Sequence, residues 1–410
     1  MTDLTLRPIS AAEFPEFYRV LVDAFHDVPH DSDRELSRGR FEPARSLAAF
    51  DGTTMVSTTS AFGRVMTVPG ALLPIAAVTA VSVAATHRRL GLLTSMMRRQ
   101  LTDLHEHGGE PVAALWASEA AIYQRFGYGM ASREARLTAR TRELRLRPGT
   151  DLGTGRIRLV GSEEARPALA RVYEAQRVRS PGFLDRTDRW WDRRLYDPEH
   201  ARDGGPPLRF ALRANEGGEV TGYAVFRTIP RWGEHDPDGE IQIRELIGLT
   251  PAAYAALWSF LLGTDLVRTV RYDRVPVDEP LPHLVDNPRA VELSVSDQLW
   301  LRLVDVGRAL AARRYTREVD VVFKVTDEFC PWNAGRWRLT GGPDTASCEP
   351  TTAPADVTLT STELAAAYLG GTTLATLALA GRVVERRPGA LAAVSAAFHT
   401  DPQPWCPEIF

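Results

Sequence analysis

The segment from Val78 to Leu101 constrains this chain more than any other stretch. A β-branched run, Val78 to Val83, meets the polar turn Thr86-His-Arg-Arg-Leu-Gly91, and an apolar-periodic stretch follows at once. That order predicts a strand handing over to a helix. The first N–H groups of a helix lack intrahelical partners, its dipole is positive there, and a glycine lets an anion approach the backbone. Strand–glycine–helix turns also occur without ligands. Arg88 and Arg89, however, oppose the dipole unless an anion offsets them, so this turn predicts a pyrophosphate ligand. Its spacing is neither the Gly-x-x-x-x-Gly-Lys of a P-loop nor the Gly-x-Gly-x-x-Gly of dinucleotide folds.

At 410 residues the chain exceeds a single core, so two or three domains are expected. The net charge of -3 offers no large basic field, which argues against nucleic acid and anionic membrane surfaces as partners. Cys330, Cys348 and Cys406 are too widely spaced for a disulfide framework or a metal site, and no metal is expected. The first residues lack a signal-peptide pattern, and no apolar run approaches the ~20 residues of a membrane helix. A cytoplasmic protein is the expectation.

Along the chain, Ala11 to Phe25 carries apolar residues at helical spacing, and 44–80 reads as antiparallel strands turning at Asp51-Gly52 and Pro69-Gly70. A strand at Val112–Trp116 and a short helix over 120–126 follow the 78–101 unit. The first ~135 residues therefore read as an α/β (α+β) sandwich around a central sheet. The glycine-rich stretch 149–155 is a candidate linker, and Pro-rich 276–288 a second. Between them, Ile241 to Leu249 leads through Thr250-Pro251 into Ala252–Leu262, repeating the strand–turn–helix of 78–101 without its Arg-Arg-x-Gly. This hints at a duplication whose second copy lost the phosphate cradle. Further on come a helix at 306–312, strands near 318–325, 336–340 and 356–360, and helices at 361–369 and 374–380.

Two more features carry chemistry. Ser118-Glu119 precedes Ile122-Tyr123-Gln-Arg-Phe126-Gly127-Tyr128-Gly129. Tyr123 carries a hydroxyl that can act as a proton donor, with packing as its plainer role. The second is the ending Trp405-Cys-Pro-Glu-Ile-Phe410, unusually apolar for a tail. Such an ending predicts docking, which would bring a terminal carboxylate inside, its pKa raised from about 3.5 by burial.

Arg88-x-x-Gly91-x-Leu93 resembles the coenzyme A signature of the GCN5-related N-acetyltransferases (GNAT), with leucine at its last position. Taken with Ile-Tyr-x-Arg-Phe-Gly-Tyr-Gly, Pro-Leu-Pro-His-Leu, Asp-x-Leu-Trp-Leu-Arg and Tyr-Leu-Gly-Gly, nearly the whole chain resembles the Eis (enhanced intracellular survival) acetyltransferases. The resemblance implies tandem GNAT domains, the central one without a coenzyme A site, and a C-terminal domain similar to sterol carrier protein 2; their bounds are expected at 1–148, 149–288 and 289–410. It implies acetyl-CoA held at Val81, Ser82, Val83, Arg88, Arg89, Leu90, Gly91, Leu92, Leu93, Thr94, Ser118 and Glu119. It implies Tyr123 as general acid and the Phe410 carboxylate as general base. The acceptor would be a small-molecule amine of polyamine, aminoglycoside or lysine type, and the assembly a homohexamer, a dimer of trimers. Phe25, Asp27 and Glu408 are the matching acceptor-site positions. Departures fall here: Ala120-Ala121 stands where the best-known members have Gly-Gly, and Ile409 separates Glu408 from the final Phe.

Two rival readings exist. Cys406 could take the acetyl group covalently, although no His/Asp partner stands out. The C-terminal domain could make the chain a lipid or sterol carrier, against which the Arg-Arg-x-Gly turn argues.

Overall fold

A computed structural model describes residues 4–410. The chain divides into two compact units, one holding residues up to Ser132 with Gln298–Pro404 and Glu408–Phe410, the other Arg133–Asp297 with Trp405–Pro407.

In the first unit β1 (Leu4–Pro8), β2 (Ser46–Asp51), β3 (Thr54–Val68) and β4 (Ala71–Val83) pair antiparallel in sequence order. Gly52 and Gly70 take φ of +58° and +70° at two of the turns, as expected from their dipeptides. Helix α1 (Phe14–Phe25) buries Phe14, Phe17, Val20 and Val22 and ends at His26, with φ +58°; α2 (Asp31–Arg38) follows. Helix α3 (Leu92–His107) carries the chain from β4 to β5 (Val112–Trp116). Leu92, Met96, Met97, Gln100 and Leu101 form its one buried stripe, each large apolar member worth about 1.5–3 kcal/mol.

Strands β4 and β5 are parallel, yet they pair only from Ile75↔Val112 to Ala77↔Ala114. Beyond Ala77, β4 runs on to Val83 without β5 beside it, so backbone groups on that edge face an opening rather than a partner. A bulge lies on the same stretch: the β3–β4 register shifts between Thr58 and Ser60, and Ala80 has φ +53°. The Thr58 hydroxyl donates to the Ala80 carbonyl at 2.7 Å, which holds the bulge. After α4 (Ala120–Tyr123), the two-residue strand β6 (Gly129–Met130) completes this part of the chain.

The second unit has its own seven-stranded sheet: β7 (Arg133–Arg140), β8 (Arg156–Val160), β9 (Arg209–Ala214), β10 (Val220–Ile229), β11 (Gly239–Gly248), β12 (Val267–Val275) and β13 (Val291–Asp297), ordered β13-β7-β12-β11-β10-β9-β8. Helices α5 (Ser162–Arg177), α6 (Asp188–Leu195), α7 (Pro251–Leu262) and the one-turn α8 (Leu281–Leu284) accompany it. The expected repeat is there: β11 passes through α7 to a parallel β12, and the Thr250 hydroxyl caps α7 by accepting from Ala253 N at 3.1 Å. Glu245, fully buried in this sheet, is paired with Arg186 at 2.7 Å and Arg194 at 3.0 Å and accepts from the Tyr223 hydroxyl at 2.6 Å.

From Gln298 the chain belongs to the first unit again, except for Trp405–Pro407. Strand β14 (Leu299–Leu303) inserts between β5 and β6, giving the order β1-β2-β3-β4-β5-β14-β6. Then come α9 (Val306–Ala312) and a five-stranded sheet of β15 (Val319–Thr326), β16 (Gly335–Gly341), β17 (Ala346–Pro350), β18 (Val357–Thr360) and β19 (Val384–Glu385), with α10 (Ser361–Ala367), α11 (Leu374–Leu379) and α12 (Ala390–Phe398). Helix α10 lies so close to β6 that a Cβ on Gly129 would overlap the Thr362 carbonyl. The glycine stretch 149–155 falls inside the second unit and marks no edge of it. Its composition reports local flexibility, whereas the unit is set by where strands 133–140 and 299–303 find partners.

Candidate active site

One cavity of about 890 Å³ opens where β4 and β5 part. Its walls come from four elements. The bulged end of β4 supplies Val81, Ser82 and Val83; the turn into α3 supplies His87, Arg88, Arg89 and Gly91 to Thr94; the segment after β5 supplies Ser118, Glu119, Ile122, Tyr123 and Arg125; the end of α1 supplies Ala24, Phe25 and His26.

Local chemistry explains the turn. Gly91 is the N-cap of α3 with φ +81°, a conformation that costs other residues about 1–2 kcal/mol, and Arg89 is left-handed too at φ +66°. A Cβ on Gly91, which lines the cavity, would meet nothing within 4 Å, so the backbone there is open to a ligand. Arg88 and Arg89 are exposed and form no ion pair among the described residues. With Arg125 against Glu119, the lining carries net positive charge. Open N–H groups, a glycine cradle and unpaired guanidinium groups together suit a pyrophosphate. His87 is held by Thr86 at 2.8 Å and Asp51 at 3.3 Å.

Residues 5–131 match a GNAT acetyltransferase domain family, residues 182–303 a second GNAT family, and residues 306–407 a sterol carrier protein domain. An uncharacterized N-acetyltransferase of Streptomyces coelicolor is 45% identical, the match covering 99% of this chain and all of that one. The N-acetyltransferase Eis of Mycobacterium tuberculosis is 37% identical over 82% of this chain and 81% of its own. The crystal structure of Eis1 from Mycobacterium abscessus superposes with a TM-score of 0.85 at 35% identity, covering 99% of this chain and all of that one. The chain is an Eis-family N-acetyltransferase. It joins two GNAT domains to a sterol carrier domain, and GNAT acetyltransferases use acetyl-CoA as acetyl donor.

Tyr123 lines the enzyme's cavity at the C-terminal end of α4 and is otherwise buried. Its ring stands edge-on to Tyr128 (centroids 5.9 Å apart) and to Phe126 (6.5 Å). Burial and then the negative charge of Glu119 push its hydroxyl up to about 12, so it holds its proton at neutral pH. Phe410 is docked as expected and buried, but it is not among the residues that line the cavity; its terminal oxygen accepts from the Thr79 hydroxyl at 3.1 Å, and Thr79 lies on β4 two residues before Val81.

Several expected positions lie elsewhere. Leu90 is exposed and does not line the cavity, because the left-handed Arg89 turns it outward between two lining residues. Asp27, two residues past the lining Phe25, is exposed and outside the cavity wall. Glu408 is buried and ion-paired with Arg64 at 3.4 Å instead of facing the cavity. Cys330 and Cys406 are fully buried and Cys348 nearly so, and all three are free thiols. Among the described residues no His/Cys/Asp/Glu group could hold a metal ion, and no helix is long and apolar enough to cross a membrane. Ala24, His26, His87, Ile122 and Arg125 line the cavity as well, outside the set that the sequence predicts. His87 lies within Thr86–Gly91, and Ile122 and Arg125 within Ile122–Gly129, so adjacency alone points to them. Ala24 and His26 reach the site only because α1 ends there, which no local pattern encodes.

Proposed function

We propose that the enzyme transfers an acetyl group from acetyl-CoA directly to a primary amine of a polyamine-, aminoglycoside- or lysine-type acceptor. The observation that carries this reading is the single cavity that gathers Val81–Val83, the Gly91 turn, Ser118, Glu119 and Tyr123. Bound acetyl-CoA supplies a thioester whose carbonyl carbon is attacked and whose sulfur departs as thiolate. Leu92, Leu93 and Thr94 bind its pyrophosphate through their backbone N–H groups, with Arg88 and Arg89 adding charge. The β4 backbone at Val81–Val83, free of β5, orients the carbonyl and donates to the oxygen as it gains charge. Ser118 and Glu119 close the opposite wall. The terminal carboxylate of Phe410 takes a proton from the acceptor ammonium, leaving a nucleophilic amine. As the new C–N bond forms and the C–S bond breaks, Tyr123 Oη passes its proton to the sulfur, and the proton that the amide nitrogen sheds returns through solvent to the Tyr123 oxygen. Phe25 forms the acceptor side of the cavity, with Asp27 beyond it to meet incoming ammonium groups and Glu408 steadying the tail through Arg64.

The same reading makes the enzyme a cytoplasmic homohexamer, a dimer of trimers, which light scattering on the purified protein checks. The function itself is tested by incubating the protein with acetyl-CoA and, in turn, aminoglycosides, polyamines, lysine peptides and arylamines. The expected result is thiol release matched by acetylated amine in the mass spectrum. Acetylation of none of these amines, with fatty ligands co-purifying and no coenzyme A binding, would overturn it in favour of a lipid carrier.

A further inference from the structure

Next to Tyr123, among residues that do not line the cavity, lies a partly buried assembly that acetyl transfer as described does not use. The turn after Tyr123 closes on itself: Gly127 N donates to Gln124 O at 2.9 Å, Tyr128 N to Tyr123 O at 3.3 Å, and Gly127 has φ +82°. Arg302, fully buried on β14, presses on this turn from beneath, since a Cβ on Gly127 would stand 2.7 Å from its Cζ. Arg302 Nη2 donates to Asp327 Oδ2 at 2.5 Å, and Asp327 Oδ1 accepts from Cys330 N at 2.9 Å. That ion pair fixes the segment 327–333 of the sterol carrier domain. Its Phe329 ring packs edge-on against Phe126, centroids 5.0 Å apart. On the other face Phe329 lies under the Arg98 guanidinium at 4.5 Å, and Arg98 belongs to α3, the helix begun at Gly91. Trp332 continues the contact by stacking on His105 of α3 at 4.4 Å.

We propose that segment 327–333, anchored by Arg302 and Asp327, positions Tyr123 for acetyl transfer, with Phe329 the wedge that fixes the Phe126–Tyr123 corner against the coenzyme A helix. The sterol carrier domain is then part of the transferase site, and Phe329 is a positioning residue acting through Tyr123. A buried, paired arginine suits an anchor: leaving its charge buried without Asp327 would be costly, which favours the seating that keeps the pair. A reacting hydroxyl displaced by about 1 Å loses rate steeply, while binding of a remote pyrophosphate is unaffected.

This inference rests on Tyr123 as the acid, and a double-mutant cycle separates the two. Phe329→Leu keeps the core apolar, and Phe329→Ala empties it. Each is made alone and with Tyr123→Phe, and kcat and the KM for acetyl-CoA are measured on variants whose folding is verified by a cooperative melt. The expected result is a kcat lower by about tenfold or more for Phe329→Ala, less for Phe329→Leu, with KM for acetyl-CoA within about twofold, and no further loss when either is added to Tyr123→Phe. Equal losses in both backgrounds, or a loss seen only in KM, would overturn the positioning role. Full turnover in Tyr123→Phe alone would instead remove the acid on which the inference rests.

Discussion

Burial in an aromatic corner and the charge of Glu119 keep the Tyr123 hydroxyl protonated up to about pH 12. A group raised this far is an acid over the whole working range, so kcat should show no fall due to Tyr123 between pH 7 and 10. Replacing it with phenylalanine keeps the packing and removes the proton; kcat is expected to drop about 10²-fold or more, within the usual reach of general acids. Steady-state rates on Tyr123→Phe decide this, and unchanged turnover would take Tyr123 out of the chemistry. Glu279 in the second unit is a residue of another kind. Burial pushes its carboxyl up to about 7, against the opposing hydrogen bonds from Tyr254 and from Leu281 N at 3.2 Å. Because the folded value exceeds the ordinary value of about 4.3, the native state holds the proton more tightly than the unfolded chain. Its contribution to stability is therefore complete below about pH 4 and falls as pH rises to 7, by roughly 3 kcal/mol. Denaturant melts at pH 5 and pH 8 should show the wild type losing stability relative to Glu279→Gln, and parallel curves would refute the assignment.

At the scale of elements, the start of α3 is where sequence and structure coincide most closely. Gly91 sits at φ +81° with its Cβ position open to the cavity. Gly91→Ala is expected to raise the KM for acetyl-CoA about tenfold or more, since about 1–2 kcal/mol of backbone strain and a methyl in the phosphate's place act together. Titration of coenzyme A by calorimetry checks it, and unaltered affinity would move the pyrophosphate elsewhere. This turn was legible because its signal is local: a β-branched run, paired arginines, a glycine and helical spacing lie within 24 residues. The strand at Val112–Trp116 and the Thr250 cap of α7 were legible for the same reason. Helix α12 was not, because Ala390, Val394, Ala397 and Phe398 are all buried and the helix is apolar on most sides, which erases the periodic signature of a half-exposed helix. The sheet membership of β7 and β14 was beyond local reading as well. A strand's pattern states that it is a strand and which faces are buried; it does not name the neighbour. Glu408 failed in a similar way: an acid near the terminus matched a pocket position, but Arg64, over 300 residues away in sequence, supplied its partner.

For the whole molecule, the ends of the chain matter as much as its middle. The last three residues belong to the first unit, where Glu408 meets Arg64 and Phe410 meets Thr79 beside the bulge of β4. Adding a few residues after Phe410 moves the carboxylate without removing a core side chain. Turnover is then expected to fall to background while the melting midpoint stays, and an extended protein of full activity would refute the base. The three family matches, 5–131, 182–303 and 306–407, suggest three beads on a string. Pairing of the strands says otherwise, since the edge of β5 left open by residues 4–130 is covered by β14, about 180 positions further along. A ribosome must therefore release residues 133–297 before the sheet of the first unit can shut. Until Leu303 emerges, the nascent chain carries a bare, apolar strand edge of the kind that recruits other chains, and any fragment cut between the first two beads keeps that edge for good.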